Sequence, residues 1–148
     1  MTQEDKELLL KDLCSRLLYG VICKCYHTEF DEWDGKPFIA EYNDTLQNID
    51  VNDFFLLVGG FSYEIDEIKP YLRPLSSMTE EEREELRQEQ IKDEQLFTDC
   101  IKNHPEMRGL IIPHFASEWC DKNMFDHRGL IPKGLAIEVT KENNPYKK

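Results

Sequence analysis

No stretch of this chain is apolar for the roughly 18–20 residues that a membrane-crossing helix needs, so a helical membrane protein is excluded. Phosphate cradles are missing too. There is no Walker loop and no dinucleotide glycine fingerprint, and Gly59-Gly60 in "LVGGF" closes an apolar run as a strand end or bulge, which leaves a nucleotide site without support. Cysteine occurs, but in no framework spacing. Cys14, Cys23, Cys25, Cys100 and Cys120 are an odd set in a chain of 148 residues. A chain of that length buries roughly two thirds of the surface its unfolded form exposes and needs no disulfide staples. Free, buried thiols are the expectation. The start "MTQEDKELLL" lacks a basic segment followed by an apolar one, and the expected setting is the cytoplasm.

Positive charge is scarce where negative charge is dense. Residues 28–68 carry eleven acids against Lys36 alone, a local net of −10 in a chain whose total is −12. Such a field repels a phosphate backbone, so direct nucleic-acid binding is disfavoured over most of the surface, and a protein partner, most easily a basic one, fits the charge better. No cofactor and no membrane contact are expected.

Along the chain, Leu9, Leu13 and Leu17 recur at four-residue steps with Leu10 and Cys14 alongside. Thr2 and Asp5 form a capping pair and Gly20 a stop, so residues 1–20 read as a helix. The Val, Ile and Cys of "GVICKCYH" predict a strand at 21–27, and Asp34-Gly35 a turn into a second strand at 37–43. "NDTLQNID" reads as a polar loop, with a buried strand at 53–58 and a half-buried one in "FSYEIDEI" after it. Four short strands closely joined predict an antiparallel meander curled into a small sheet or half-barrel over 21–68.

Pro70 and Pro74 each remove a backbone donor, so residues 69–78 are expected to be a proline turn and not a central strand. Thr79 with Glu82 then forms a capping box, and Glu80, Glu81 and Glu82 occupy a first turn whose dipole favours them, opening an acidic helix over 79–103. A helix near 114 and a last strand in "LAIEV" occupy 114–139, before a polar tail. The expected fold is one α+β domain over 1–148 with four to five strands and about three helices.

Several clusters invite chemistry. Cys23 and Cys25 in a strand share a face with His27 and could hold a soft metal, but no second ligand pair follows. Cys120 between His114 and His127, with Asp126 adjacent, suggests a Cys-His nucleophile; six residues nevertheless place His114 and Cys120 nearly opposite round a helix. The same His114, Cys120 and His127 lack zinc spacing, and Asp31, Glu32, Asp34, Asp50 and Asp53 lack the alternating ligand loop for calcium. No metal ligand and no catalytic residue is therefore assigned. What remains is surface: Lys69, Tyr71 and Arg73, together with His127 and Arg128, are basic or aromatic residues in an acidic chain. They are either a contact surface or a structural corner that neutralises nearby carboxylates. Asp31, Glu32 and Asp34 complete the candidate binding residues.

The phrases "ELLLKDLCSRLLYGV", "EIKPYLRPLSSMTEEE" and "FDHRGLIPKGLAIEV" resemble a widespread uncharacterised family of small acidic proteins from gut bacteria and their phages and mobile elements. The resemblance implies an accessory protein and transfers no catalytic residue. The expected function is non-enzymatic protein binding. An acidic nucleic-acid mimic that inhibits a basic host protein is one alternative, and a small Cys/His hydrolase or metal-dependent enzyme is the other.

Overall fold

The computed structural model describes residues 1–53, 55–103, 105 and 115–147. Among them it holds three α-helices and one six-stranded mixed sheet in a single α+β domain. Helix α1 (Gln3–Arg16) starts at the predicted capping box, where Thr2 Oγ1 accepts from the Asp5 amide and the Asp5 carboxylate accepts from the Thr2 amide. The chain then tightens over Leu17–Tyr19 and turns at Gly20, whose φ of +71° lies in the region that glycine enters without strain.

Strands β1 (Ile22–Phe30) and β2 (Pro37–Asp50) are longer than their apolar runs. The expected polar loop at 44–50 is strand, because residues 44–45 continue the pairing with β1 and residues 46–50 pair with β3 (Phe55–Val58), with Leu46 turned into the core. A bulge between Leu46 and Asn48 shifts the register there, and such an extra residue bends and twists its strand. Strand β4 (Phe61–Glu64) pairs with β3 at the sheet edge.

The expectation for the proline segment fails over residues 69–72, whereas Leu75–Ser77 after Pro74 form a tight turn. Residues 68–72 form β5 (Ile68–Leu72), which pairs antiparallel with β1 through residues 68–70 and parallel with β6 (Ile137–Glu138) through residues 71–72. Pro70 is admitted because β6 does not reach it: its residue lies opposite Cys23 on one side only, the half-edge position in which a missing donor costs little. The strand order β4-β3-β2-β1-β5-β6 therefore carries the sheet past residue 68, adds strands to the predicted count and includes one parallel pair.

Helix α2 (Glu80–Asn103) begins where predicted, and α3 (Phe115–Lys122) follows it in the described chain. The core gathers Leu9 and Leu13 of α1 with Cys23, Cys25, Leu46, Leu56, Val58, Ile65, Ile68 and Leu72 from the sheet and its connections, and Leu130 and Leu135 beyond α3. Each such fully buried aliphatic side chain stabilises the fold by roughly 1.5–3 kcal/mol. The tail is not loose. The Tyr146 hydroxyl donates to the Tyr71 carbonyl at 2.8 Å and accepts from the Ile22 amide at 3.2 Å, joining β1 to β5.

Candidate functional site

Two places concentrate polar chemistry, and the first is internal. Arg16, at the last turn of α1, is fully buried. Its Nε and Nη2 donate to Asp12 at 2.8 and 2.9 Å, and it also donates to the carbonyls of Asp121 and Phe125. Arg128 closes the other side, with Nη1 at 2.9 Å from Asp12 and 2.6 Å from Asp121. His127 Nε2 lies 2.8 Å from Asp121 and 2.7 Å from Arg128. Burial would push Asp121 upward, but the hydrogen bonds from His127 and Arg128 and the charges of Arg16 and Arg128 outweigh it and hold the carboxyl well below its usual range.

Asp12, Asp121 and His127 form the one set among the described residues whose ligand atoms lie within 4.8 Å of one another. Two guanidinium groups already neutralise both carboxylates, so a cation brought there would meet two fixed positive charges. The residues do not fit a metal centre. They form a closed two-arginine, two-aspartate network that ties α1 to α3 and the segment after it.

Among the described residues the hydrolase constellation is not assembled around Cys120. Asp126 accepts from the amides of Leu130 and Ile131 at 2.8 Å each, while His127 turns to Asp121. The Cys120 thiol is buried and pushed up by that burial, which suppresses the thiolate a nucleophile needs. His114 lies outside the described residues. Cys23 and Cys25 share a buried face as predicted, with Cys25 pushed up to about 11 by burial, whereas His27 is exposed and meets the Tyr63 ring edge-on at 6.3 Å. Cys14 departs from the expectation of buried thiols and is exposed.

The basic corner is largely consumed by the fold. Arg73 donates to Glu82 at 2.7 and 2.9 Å and stacks 4.2 Å above the Phe125 ring, which itself stacks on Trp119. Tyr71 is buried and donates to Asn43 at 3.1 Å. Lys69 is partly exposed and stands opposite Lys24 across the β1–β5 ladder. Among the sequence candidates on this side, Lys69 is the one least tied to neighbours in the described residues.

The second place projects from the sheet. Strands β1 and β2 pair over Ile22–Phe30 and Pro37–Thr45, yet β5 pairs β1 only at residues 23–25 and β3 pairs β2 only at residues 46–50. The five outer pairs, Tyr26↔Glu41 to Phe30↔Pro37, therefore have no strand beside them among the described residues. They form a two-stranded arm about 17 Å long at the usual rise per residue.

Asp31 builds its tip: the Asp31 carboxylate accepts from the amides of Trp33 and Asp34 at 2.8 and 3.1 Å, and Gly35 turns at φ +67°. Asp34 accepts from the Lys36 amide and pairs with its ammonium at 2.8 Å, which holds its carboxyl below the usual range. Glu32 has no such partner among the described residues. Against these acids the arm exposes apolar side chains on both faces and at its tip: Phe38 on one, Phe30 and Ile39 on the other, and Trp33 at 96% exposure. The reading from charge alone found the three acids and missed the aromatics between them. The signal was there, since Phe30, Trp33 and Phe38 flank a strong turn dipeptide that cannot be buried.

Comparison with protein-family models, curated proteins and solved structures finds no match. Among the described residues no helix is long and apolar enough to cross a membrane.

Proposed function

We propose that this chain is a non-enzymatic, protein-binding accessory protein of phage or mobile-element type that grips its partner with the β1–β2 arm. One observation supports this reading most strongly: five strand pairs with no strand beside them among the described residues, and the tip that joins them, carry Phe30, Phe38, Ile39 and Trp33 into solvent. A bare two-stranded hairpin is marginally stable and gains nothing from exposed aromatics, whereas a partner that covers them returns the hydrophobic free energy left unused.

The test is capture from the native host with the full chain, comparing wild type with Trp33→Ser and Phe38→Ser. A specific partner should be retained by wild type and lost by both variants, while their urea midpoints stay unchanged. Equal retention by the variants would remove the arm from the interface.

The second reading, a nucleic-acid mimic, is favoured by a different surface. Glu80, Glu81, Glu84, Glu85, Glu89 and Glu118 line one open groove of about 1090 Å³ between α2 and α3 together with Lys92 and Lys122, with Glu80, Glu84 and Glu89 paired to Arg83, Arg87 and Lys92. The acids of 28–68 supply less of a phosphate-like row, because Asp31 and Asp34 build the turn, Glu41 pairs with Lys24 and Asp66 with Lys6. Capture through the α2 groove would fall steeply with salt and ignore Trp33→Ser.

A further inference from the structure

The bulged meander curls. His27 on β1 and Tyr63 on β4 bring their rings to 6.3 Å although two strands separate them, where flat strands three places apart stand about 14 Å from one another. The concave side is a groove of about 450 Å³ at the base of the arm, with His27, Tyr42, Phe61 and Tyr63 among its walls. Gly59 shapes the corner: at φ +57° a Cβ there would stand 2.5 Å from Asp44 Oδ2, so only glycine lets the turn close over this carboxylate.

We infer that this groove receives an arginine side chain of the partner protein, an inference that rests on the protein-binding reading of the arm above it. Glu29 and Asp44 line the groove and no lysine or arginine does. Neither carboxylate forms a salt bridge among the described residues. Glu29 accepts from the Tyr42 hydroxyl, and Asp44 accepts from the amide of Thr45. The negative field reaches Tyr63, whose hydroxyl is pushed up first by burial and then by Cys25, Glu67, Asp44 and Glu29.

Uncompensated carboxylates beside aromatic faces call for a cation that is also flat and weakly hydrated. A guanidinium stacks on Phe61 or Tyr42 while forking to a carboxylate, and an ammonium does only part of this. Phe61, 70% exposed at the sheet edge, gains a role as the outer wall.

The experiment uses the full-length, ¹⁵N-labelled protein and three blocked pentapeptides, Gly-Xaa-Gly-Xaa-Gly, with arginine, lysine or neutral citrulline at Xaa. The arginine peptide should shift the amides of His27, Glu29, Tyr42, Asp44 and Tyr63 saturably, the lysine peptide should bind more weakly, and the citrulline peptide should leave them in place. Glu29→Gln combined with Phe61→Ala should weaken the arginine peptide by roughly tenfold, about the loss of one cation–π contact and one charged hydrogen bond. Both positions lie away from the buried core, and an unchanged urea midpoint separates lost binding from lost folding. Shifts confined to the α2 glutamates, or equal binding of the lysine or citrulline peptide, would overturn the inference. If the arm variants lose the captured partner while no peptide moves the groove, the arm reading stands alone. If the peptide binds but Trp33→Ser still captures, the arm reading is the one that fails.

Discussion

Arg16 lies on the same stripe of α1 as Leu9 and Leu13 and is as fully buried as either, yet it carries a charge. Its guanidinium is tolerated because Asp12, Asp121 and the carbonyls beyond α3 take up its donors, so no described buried side-chain polar atom is left without a partner. Such a network need not exceed the stability of an apolar core of the same volume. Breaking it from one side is costly, since Asp12 and Asp121 would then be short of one of their two compensating charges. Arg16→Ala should lower the unfolding free energy by about 3–5 kcal/mol in a urea titration. A loss below about 1 kcal/mol, the level of an exposed ion pair, would show that the cluster is solvated in solution.

Among the elements, α2 depends most on its first turn. It runs for twenty-four residues, and Ile91 and Leu96 along it are exposed, so little tertiary burial supports it there. What anchors it is local and double. The Thr79 amide donates to Glu82 at 2.9 Å, the Glu82 amide donates to Thr79 Oγ1 at 3.2 Å, and Arg73 from the end of β5 holds the same Glu82 carboxylate. Thr79→Ala should therefore cost roughly 0.5–2 kcal/mol by denaturant titration. Partner capture should survive it, because β5 runs antiparallel to β1 and its Arg73 end lies beyond Cys23, away from the arm that begins at Tyr26. An unchanged midpoint would mean that Arg73 alone fixes the start of α2.

At the scale of the whole molecule, acidification tests both anchors together. Asp121 is held below its usual range despite burial, and Glu82 is lowered first by the Arg73 hydrogen bond, against burial, and then by the Thr79 amide. A carboxyl whose folded value is depressed binds fewer protons in the native state. Its stabilisation is present in full above the unfolded value near 4 and is lost as pH falls through the folded one. Urea midpoints should accordingly be nearly flat from pH 7 to 5 and decline below about pH 4. A midpoint that rises on acidification through that lower range would mean that relief of the net −12 charge outweighs both ion pairs.

Much of what one or two turns of chain decide was legible beforehand, although the strand expected through "FSYEIDEI" ends at Glu64, where Glu67 caps a tight turn over Ile65–Glu67. The capping boxes at Thr2–Asp5 and Thr79–Glu82 and the Asp34-Gly35 turn join residues no more than a few positions apart, and the shared face of Cys23 and Cys25 follows from strand alternation alone. The rest waited on partners far along the chain. Pro70 is a sheet residue because β6 stops short of it, and residues 44–50 are strand because β1 takes the first two of them and β3 the rest. Arg16 is internal because a carbonyl 109 positions away accepts its proton. Charge counting likewise found acids at 28–68 without separating those that build turns from those that face the groove. Local hydrogen bonds form within a short segment whatever surrounds it, whereas burial of a charge, a proline or an exposed-looking strand is settled by which distant groups arrive to replace water.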